Sequence, residues 1–138
     1  MSLRLKLKPN EKIIIGNAVI ENGSKSASFL VHNKTTILRE KDILTEETAT
    51  TPAKRIYFSV QLMYMAGSLE EGKSFHSEFF QLSKDFMTAC PTETAISLVS
   101  EVGNLILSDD LYAALKVCNK LISYEQDIMK NMNFETDK

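Results

Sequence analysis

The chain has 138 residues, 43% of them hydrophobic and 25% charged, and carries a net charge of −2. That length holds one domain, or two very small ones sharing a core, and the composition is ordinary for a globular protein. No apolar run approaches the ~20 residues that span a bilayer. Residues 1–6 alternate apolar and basic side chains, where a signal peptide has an unbroken apolar stretch. Cys90 and Cys118 are therefore read as small buried apolar groups in a reducing compartment. The expectation is a soluble cytoplasmic protein without a membrane partner.

The net charge hides an asymmetry. Residues 1–55 carry ten Lys/Arg and six Asp/Glu, whereas residues 56–138 carry six and twelve. A basic front on an acidic back points to an anionic partner for the first part. The same excess of cations also fits ordinary solvation of a sheet.

The first 44 residues read as an antiparallel β module. Leu3, Leu5 and Leu7 alternate with Arg4, Lys6 and Lys8, which predicts one apolar face and one row of cations. Pro9-Asn10 breaks the run, and a second strand starts at Lys12-Ile13-Ile14-Ile15. Gly16-Asn17 marks a turn or bulge before Ala18-Val19-Ile20-Glu21. Asn22-Gly23 is a strong hairpin signal, because both residues tolerate positive φ. A strand from Ser26 to His32, a turn at Asn33-Lys34 and a last strand from Thr35 to Arg39 complete four or five short strands.

From Thr51 the apolar period becomes 3.6, giving an α-helical module over residues 51–133. Thr51-Pro52 supplies an N-cap hydroxyl and a proline at the first helical position. Ile56, Val60 and Met63 line one face of the first helix, and Gly67 is its expected stop. A second helix, starting within residues 68–73, carries Phe75, Phe79, Leu82 and Phe86 and breaks at Cys90-Pro91-Thr92. A third carries Ala95, Val99, Val102 and Ile106. The fourth, capped by Ser108 or Asp109, carries Leu111, Leu115, Cys118, Ile122 and Met129. The fold class is thus α+β, a small antiparallel sheet followed by about four helices.

Enzyme signatures are weak: a Cys–His dyad is geometrically possible, but Cys118 belongs to an apolar stripe. The five glycines (16, 23, 67, 72 and 103) fit neither a phosphate-cradling loop nor a dinucleotide fingerprint. His32 and His76 are the two imidazoles, the cysteines lack metal-ligand spacing, and no cofactor is implied. Glu70-Glu71 and Asp109-Asp110 read as solvated helix starts. Arg4, Lys6 and Lys8 project together about 7 Å apart, which matches phosphate spacing along a nucleic-acid strand; the alternative is a row of cations guarding a sheet edge. Phe80 neighbours the buried-type Phe79 and must point partly away from the core, which makes it the candidate for an exposed protein contact.

The opening Leu3-Arg4-Leu5-Lys6-Leu7-Lys8-Pro9-Asn10-Glu11-Lys12-Ile13-Ile14-Ile15 resembles that of the FlbT flagellar regulators. So do Leu38-Arg39-Glu40-Lys41-Asp42-Ile43-Leu44, Ala49-Thr50-Thr51-Pro52-Ala53-Lys54-Arg55-Ile56-Tyr57-Phe58 and Val60-Gln61-Leu62-Met63. The resemblance implies a repressor that binds the 5′ untranslated leader of flagellin mRNA, blocks translation and promotes message decay. The front half is also similar to CsrA, a small all-β RNA-binding repressor, through a basic first strand, an Asn-Glu turn and an Arg-Glu-rich end to the last strand. On that likeness Lys8 and Arg39 match RNA-contacting positions, and a homodimer is implied. Leu7, where CsrA has another arginine, and a segment after Arg39 that is one residue longer set this chain apart.

The leading expectation is an RNA-binding repressor using Arg4, Lys6, Lys8, Arg39 and Lys41. The rival is an adaptor whose helical half, rich in Met and Phe, holds a helix of flagellin or of the companion regulator FlaF, with Phe80, Met65 and Met87 on its surface.

Overall fold

The computed structural model describes residues 2–66 and 72–136, with side chains as far as residue 131. Five strands come first: β1 (Leu3–Leu7), β2 (Lys12–Ile15), β3 (Ala18–Glu21), β4 (Ala27–Val31) and β5 (Ile37–Arg39). A 3₁₀ turn, Glu40–Asp42, follows β5. Four helices are then seen among the described residues: α1 (Pro52–Met65), α2 (His76–Ala89), α3 (Glu93–Leu107) and α4 (Leu111–Thr136). The architecture is α+β, as the periodicities predict. The chain divides into two compact units, one holding the strands to Ile43 together with Met65 at the end of α1, and one running from Leu44 to Tyr64 and on through α2, α3 and α4.

In the strand unit, β1 pairs antiparallel with β4, and β2 sits between β3 and β5 in a three-stranded antiparallel sheet. The alternation in β1 sets its register. Leu5 and Leu7 are buried with Ile13, and Ile15, Phe29, Val31 and Ile37 pack against them, while Arg4 and Lys6 face water. Burying each such side chain is worth roughly 1.5–3 kcal/mol. A one-residue slip of β1 would turn its whole apolar set outward, so the register is fixed. Gly16-Asn17 is the two-residue loop of the β2–β3 hairpin; Gly16 takes φ +64, open to a residue without Cβ.

Asn22-Gly23 does not form the hairpin that its sequence suggests. Strand β3 returns along β2 and β4 pairs with β1, so the two segments flanking Asn22-Gly23 are not partners, and neither residue takes positive φ. The Asn22 side chain is instead a clip: its Nδ2 donates to the carbonyls of Lys8 (2.8 Å) and Lys25 (2.9 Å). The backbone adds Asn10 N–H to Gly23 O (2.8 Å) and Asn22 N–H to Glu11 O (2.9 Å). The clip holds the Lys8-Pro9-Asn10-Glu11 turn, closed by Glu11 N–H to Lys8 O (3.1 Å), with Pro9 second and Asn10 third at φ +62. That is the arrangement of a type II turn.

In the helical unit every early donor of α1 is accounted for. Pro52 has no N–H; Ala53 N–H donates to Glu125 Oε2 (2.8 Å), Lys54 N–H to Thr51 Oγ1 (3.3 Å) and Arg55 N–H to Thr51 O (2.9 Å). Thr51 is the predicted cap, and Glu125, on α4, completes it from 72 residues away. The buried Gln61 side chain clasps Leu44, accepting from its N–H and donating to its C=O, both at 2.9 Å.

The stripe predicted for α3 is the one buried: Ala95, Val99, Val102 and Ile106. On α2, Phe79 and Phe86 are buried, and Phe75 precedes the helix as its N-cap residue. On α4 the buried face is Ala114, Leu115, Val117, Cys118 and Leu121, and Met129 is exposed, so the expected stripe is correct only in part. The cap of α4 is Asp110, which accepts from Ala113 N–H, one residue beyond the predicted pair. Asp109, at φ +57, closes the end of α3 instead. Gly67, Glu70 and Glu71 lie outside the described residues. Among those described, no helix is long and apolar enough to cross a membrane.

Candidate nucleic-acid interface

The five cations singled out from the sequence fall into two sets. Arg4 and Lys6 stand exposed on the outer face of β1, opposite Leu30 and Ser28 of β4. Lys8, Arg39 and Lys41 line one cleft of about 570 Å³, together with Pro9, Glu11 and Glu40. Lys8 reaches it from the clipped turn, Arg39 from the last residue of β5 opposite Ile13, and Lys41 from the 3₁₀ turn. The fold therefore gathers residues 31 to 33 positions apart into one basic pocket.

Arg39 is held in place. Its Nη2 donates to the Lys6 carbonyl (2.9 Å) and to both carboxylate oxygens of Glu11 (3.2 and 3.4 Å). The ion pair leaves the Arg39 side chain 35% exposed and that of Glu11 13%. Glu11 is fixed in turn, because its Oε1 accepts the Lys8 N–H at 2.8 Å. That N–H, followed by the Arg39 guanidinium, holds the Glu11 carboxyl below its ordinary value of 4.5, with desolvation pushing the other way. Glu40 Oε1 accepts the Lys12 N–H (3.3 Å), so the second acid of the cleft is tied to β2. Lys8 and Lys41 are exposed.

Glu11 lines the cleft and Asn22 braces the turn that carries Lys8, and neither was singled out from the sequence as a site residue. Their partners lie 28 and 14 positions away in sequence. The available signals were an acid set directly after a basic strand and an Asn-Gly pair that also reads as a hairpin.

Elsewhere in the strand unit, Ile15, Ile20, Phe29, Leu30, Val31 and His32 line a mainly apolar hollow of about 630 Å³. His32 Nδ1 lies 2.9 Å from Ser2 Oγ. In the helical unit Phe80 is 56% exposed and meets Phe79 edge-on at 5.5 Å, so it does point away from the core. Met87 is half-buried; Met65, also half-buried, belongs to the strand unit and so falls outside the expected helical surface. Burial pushes the Cys118 thiol up to about 12. Among the described residues no group of three or more His, Cys, Asp or Glu is placed to hold a metal ion.

The family model described as flagellar protein FlbT matches residues 3–129. The chain is 45% identical over 129 residues to the probable flagellum biosynthesis repressor protein FlbT 1 of Bradyrhizobium diazoefficiens, covering 93% of this chain and 85% of that one. It is 41% identical over 131 residues to the probable flagellum biosynthesis repressor protein FlbT of Rhodopseudomonas palustris, covering 94% and 98%. It is also 35% identical over 128 residues to the flagellum biosynthesis repressor protein FlbT of Caulobacter vibrioides, covering 92% and 89%. No solved structure matches the chain.

Proposed function

The chain belongs to the FlbT family of flagellar proteins, and on that premise we propose that it represses flagellum biosynthesis by binding the 5′ untranslated leader of flagellin mRNA. Relatives across nearly the whole length are named flagellum biosynthesis repressors, which supports the repressor role. The observation that carries RNA as the target is the cleft in which Lys8, Arg39 and Lys41 converge. Lysines there meet phosphates as point charges, and arginine can also stack on or hydrogen-bond to an unpaired base. Arg4 and Lys6 extend the cationic surface along β1. Repression follows from occlusion of ribosome loading or exposure of the message to nucleases.

A gel-shift salt series on the leader RNA tests this reading. The two cleft lysines alone, as phosphate contacts on single-stranded RNA, give a log–log slope of about −1.4, or about sevenfold weaker binding between 50 and 200 mM salt. Reversing charge at Lys8 and Lys41 together should remove the shifted band; binding that ignores both salt and these reversals would move the site elsewhere.

A second reading is favoured by Phe80. An aromatic ring more than half exposed on α2 suits a partner helix, and flagellin or FlaF is the candidate. Purified flagellin retained by the wild type and lost on Phe80→Asp, with nuclease present throughout, would support it.

A further inference from the structure

Within the cleft, Arg39 is not poised as a phosphate clamp. A guanidinium grips a phosphate best through two parallel N–H bonds from one edge. In this site Nη2 is already given to the Lys6 carbonyl and the Glu11 carboxylate. Its edge neighbour Nε is buried without a partner among the described residues. The Glu11 carboxylate thus occupies the place where a phosphate would pair, and its charge repels one from that edge. Even so, the Arg39 side chain stays 35% exposed, which leaves part of the planar group for a ligand.

The clamp behind it is rigid. Glu11 Oε1 accepts the Lys8 N–H, and Asn22 Nδ2 holds the Lys8 carbonyl. Asn22 N–H and Asn10 N–H close the two sides of the turn. A planar cation fixed at two points and still 35% exposed is suited to a base, by stacking or by hydrogen bonding to its edge. Lys8 and Lys41 have no such restraint and suit the backbone.

We propose that Glu11 is a positioning residue that converts Arg39 from a phosphate contact into a base-reading one, so that discrimination among RNA sequences in this cleft depends on a carboxylate. The inference rests on the RNA-binding reading and assigns the division of work within that site.

The experiment uses the full chain, a labelled synthetic RNA of the leader sequence and a base-shuffled RNA of equal length. Affinities for both are measured over a salt series for the wild type, Glu11→Gln, Arg39→Lys and Lys8→Gln. Glu11→Gln removes a negative charge beside three cations, so total affinity should hold or rise. The leader-to-shuffled ratio should nevertheless fall about tenfold, consistent with the range for loss of one base-specific contact. Lys8→Gln should weaken both RNAs equally, make the salt slope shallower by about 0.7 and leave the ratio alone. An unchanged ratio in Glu11→Gln, or a wild type with no preference for the leader, overturns the positioning role while RNA binding stands. Absence of binding to either RNA by the wild type overturns the RNA reading itself. If Glu11→Gln loses its fold by circular dichroism, Arg39→Lys carries the test. It keeps the charge and loses the plane, so collapse of the ratio supports the proposal and an intact ratio refutes it.

Discussion

Cys118 sits fully buried on α4 with its thiol pushed up to about 12, whereas Cys90 is half-buried at the end of α2. Only a thiolate reacts with disulfide reagents, so at pH 8 one equivalent should label and the second should appear only on unfolding. The folded state holds the Cys118 proton more tightly than the unfolded chain. Stability is therefore unaffected below pH 9 and is lost as pH rises from 9 towards 12. Glu11 works in the opposite direction. Its folded carboxyl lies below the ordinary 4.5, so its contribution is complete above that pH and is lost as pH falls through the lower folded value. The amide proton of Lys8, whose acceptor is Glu11, should follow that titration by NMR with a midpoint below 4.5; a midpoint at or above 4.5 would contradict the hydrogen bond. Single residues were legible in the sequence where the signal is local. The alternation of β1 gave Leu5 and Leu7 as buried and Arg4 and Lys6 as exposed, but not Leu3, which at the start of the strand is 50% exposed. The clip at Asn22 was not legible, because its acceptor is the backbone of another loop, and backbone carbonyls leave no trace in a sequence pattern.

At the scale of elements, helix ends carry predictions because each leaves donors that must find acceptors. Glu125→Ala removes the acceptor for the Ala53 N–H inside a buried site and should cost roughly 1–3 kcal/mol. Glu125→Gln keeps a carbonyl oxygen there and should cost less, and urea unfolding of the pair separates the lost bond from the lost charge. Thr92 caps α3 through Ala95 N–H (3.1 Å) and shares a 2.7 Å hydrogen bond with the Tyr124 hydroxyl. Thr92→Ala should cost about 0.5–2 kcal/mol. Thr92→Ser, which retains both bonds, should recover most of it; equal losses in the two variants would assign the effect to the methyl group. Helix identity and the α3 stripe were readable because an amphipathic period is written in adjacent turns. Strand pairing was not: Asn22-Gly23 carries the dipeptide of a hairpin, yet β4 pairs with β1 across 20 or more residues, and burial of Leu5, Leu7 and Phe29 outweighs turn propensity. The α4 stripe was misjudged at Met129 because a 26-residue helix need not bury one face along its whole length.

For the molecule as a whole, the basic front and acidic back coincide closely with the two compact units. If the cleft serves RNA and the helical unit serves a protein partner, damage to one should spare the other. Lys8 and Lys41 lie more than thirty residues from Phe80 in sequence and belong to the other unit. Exposed substitutions such as those at Lys8 and Lys41 usually change stability by no more than about 0.5 kcal/mol, and circular dichroism of Phe80→Asp, whose ring meets Phe79, checks that its loss of binding is loss of contact. Lys8→Glu with Lys41→Glu should abolish retention of the leader RNA and leave purified flagellin bound; Phe80→Asp should do the reverse. In cells, both variants should raise flagellin if control of the message needs the two contacts together, and only the charge-reversed one should if RNA binding suffices. A Phe80→Asp chain that loses RNA as well would mean the halves act as one surface and would remove the division of labour.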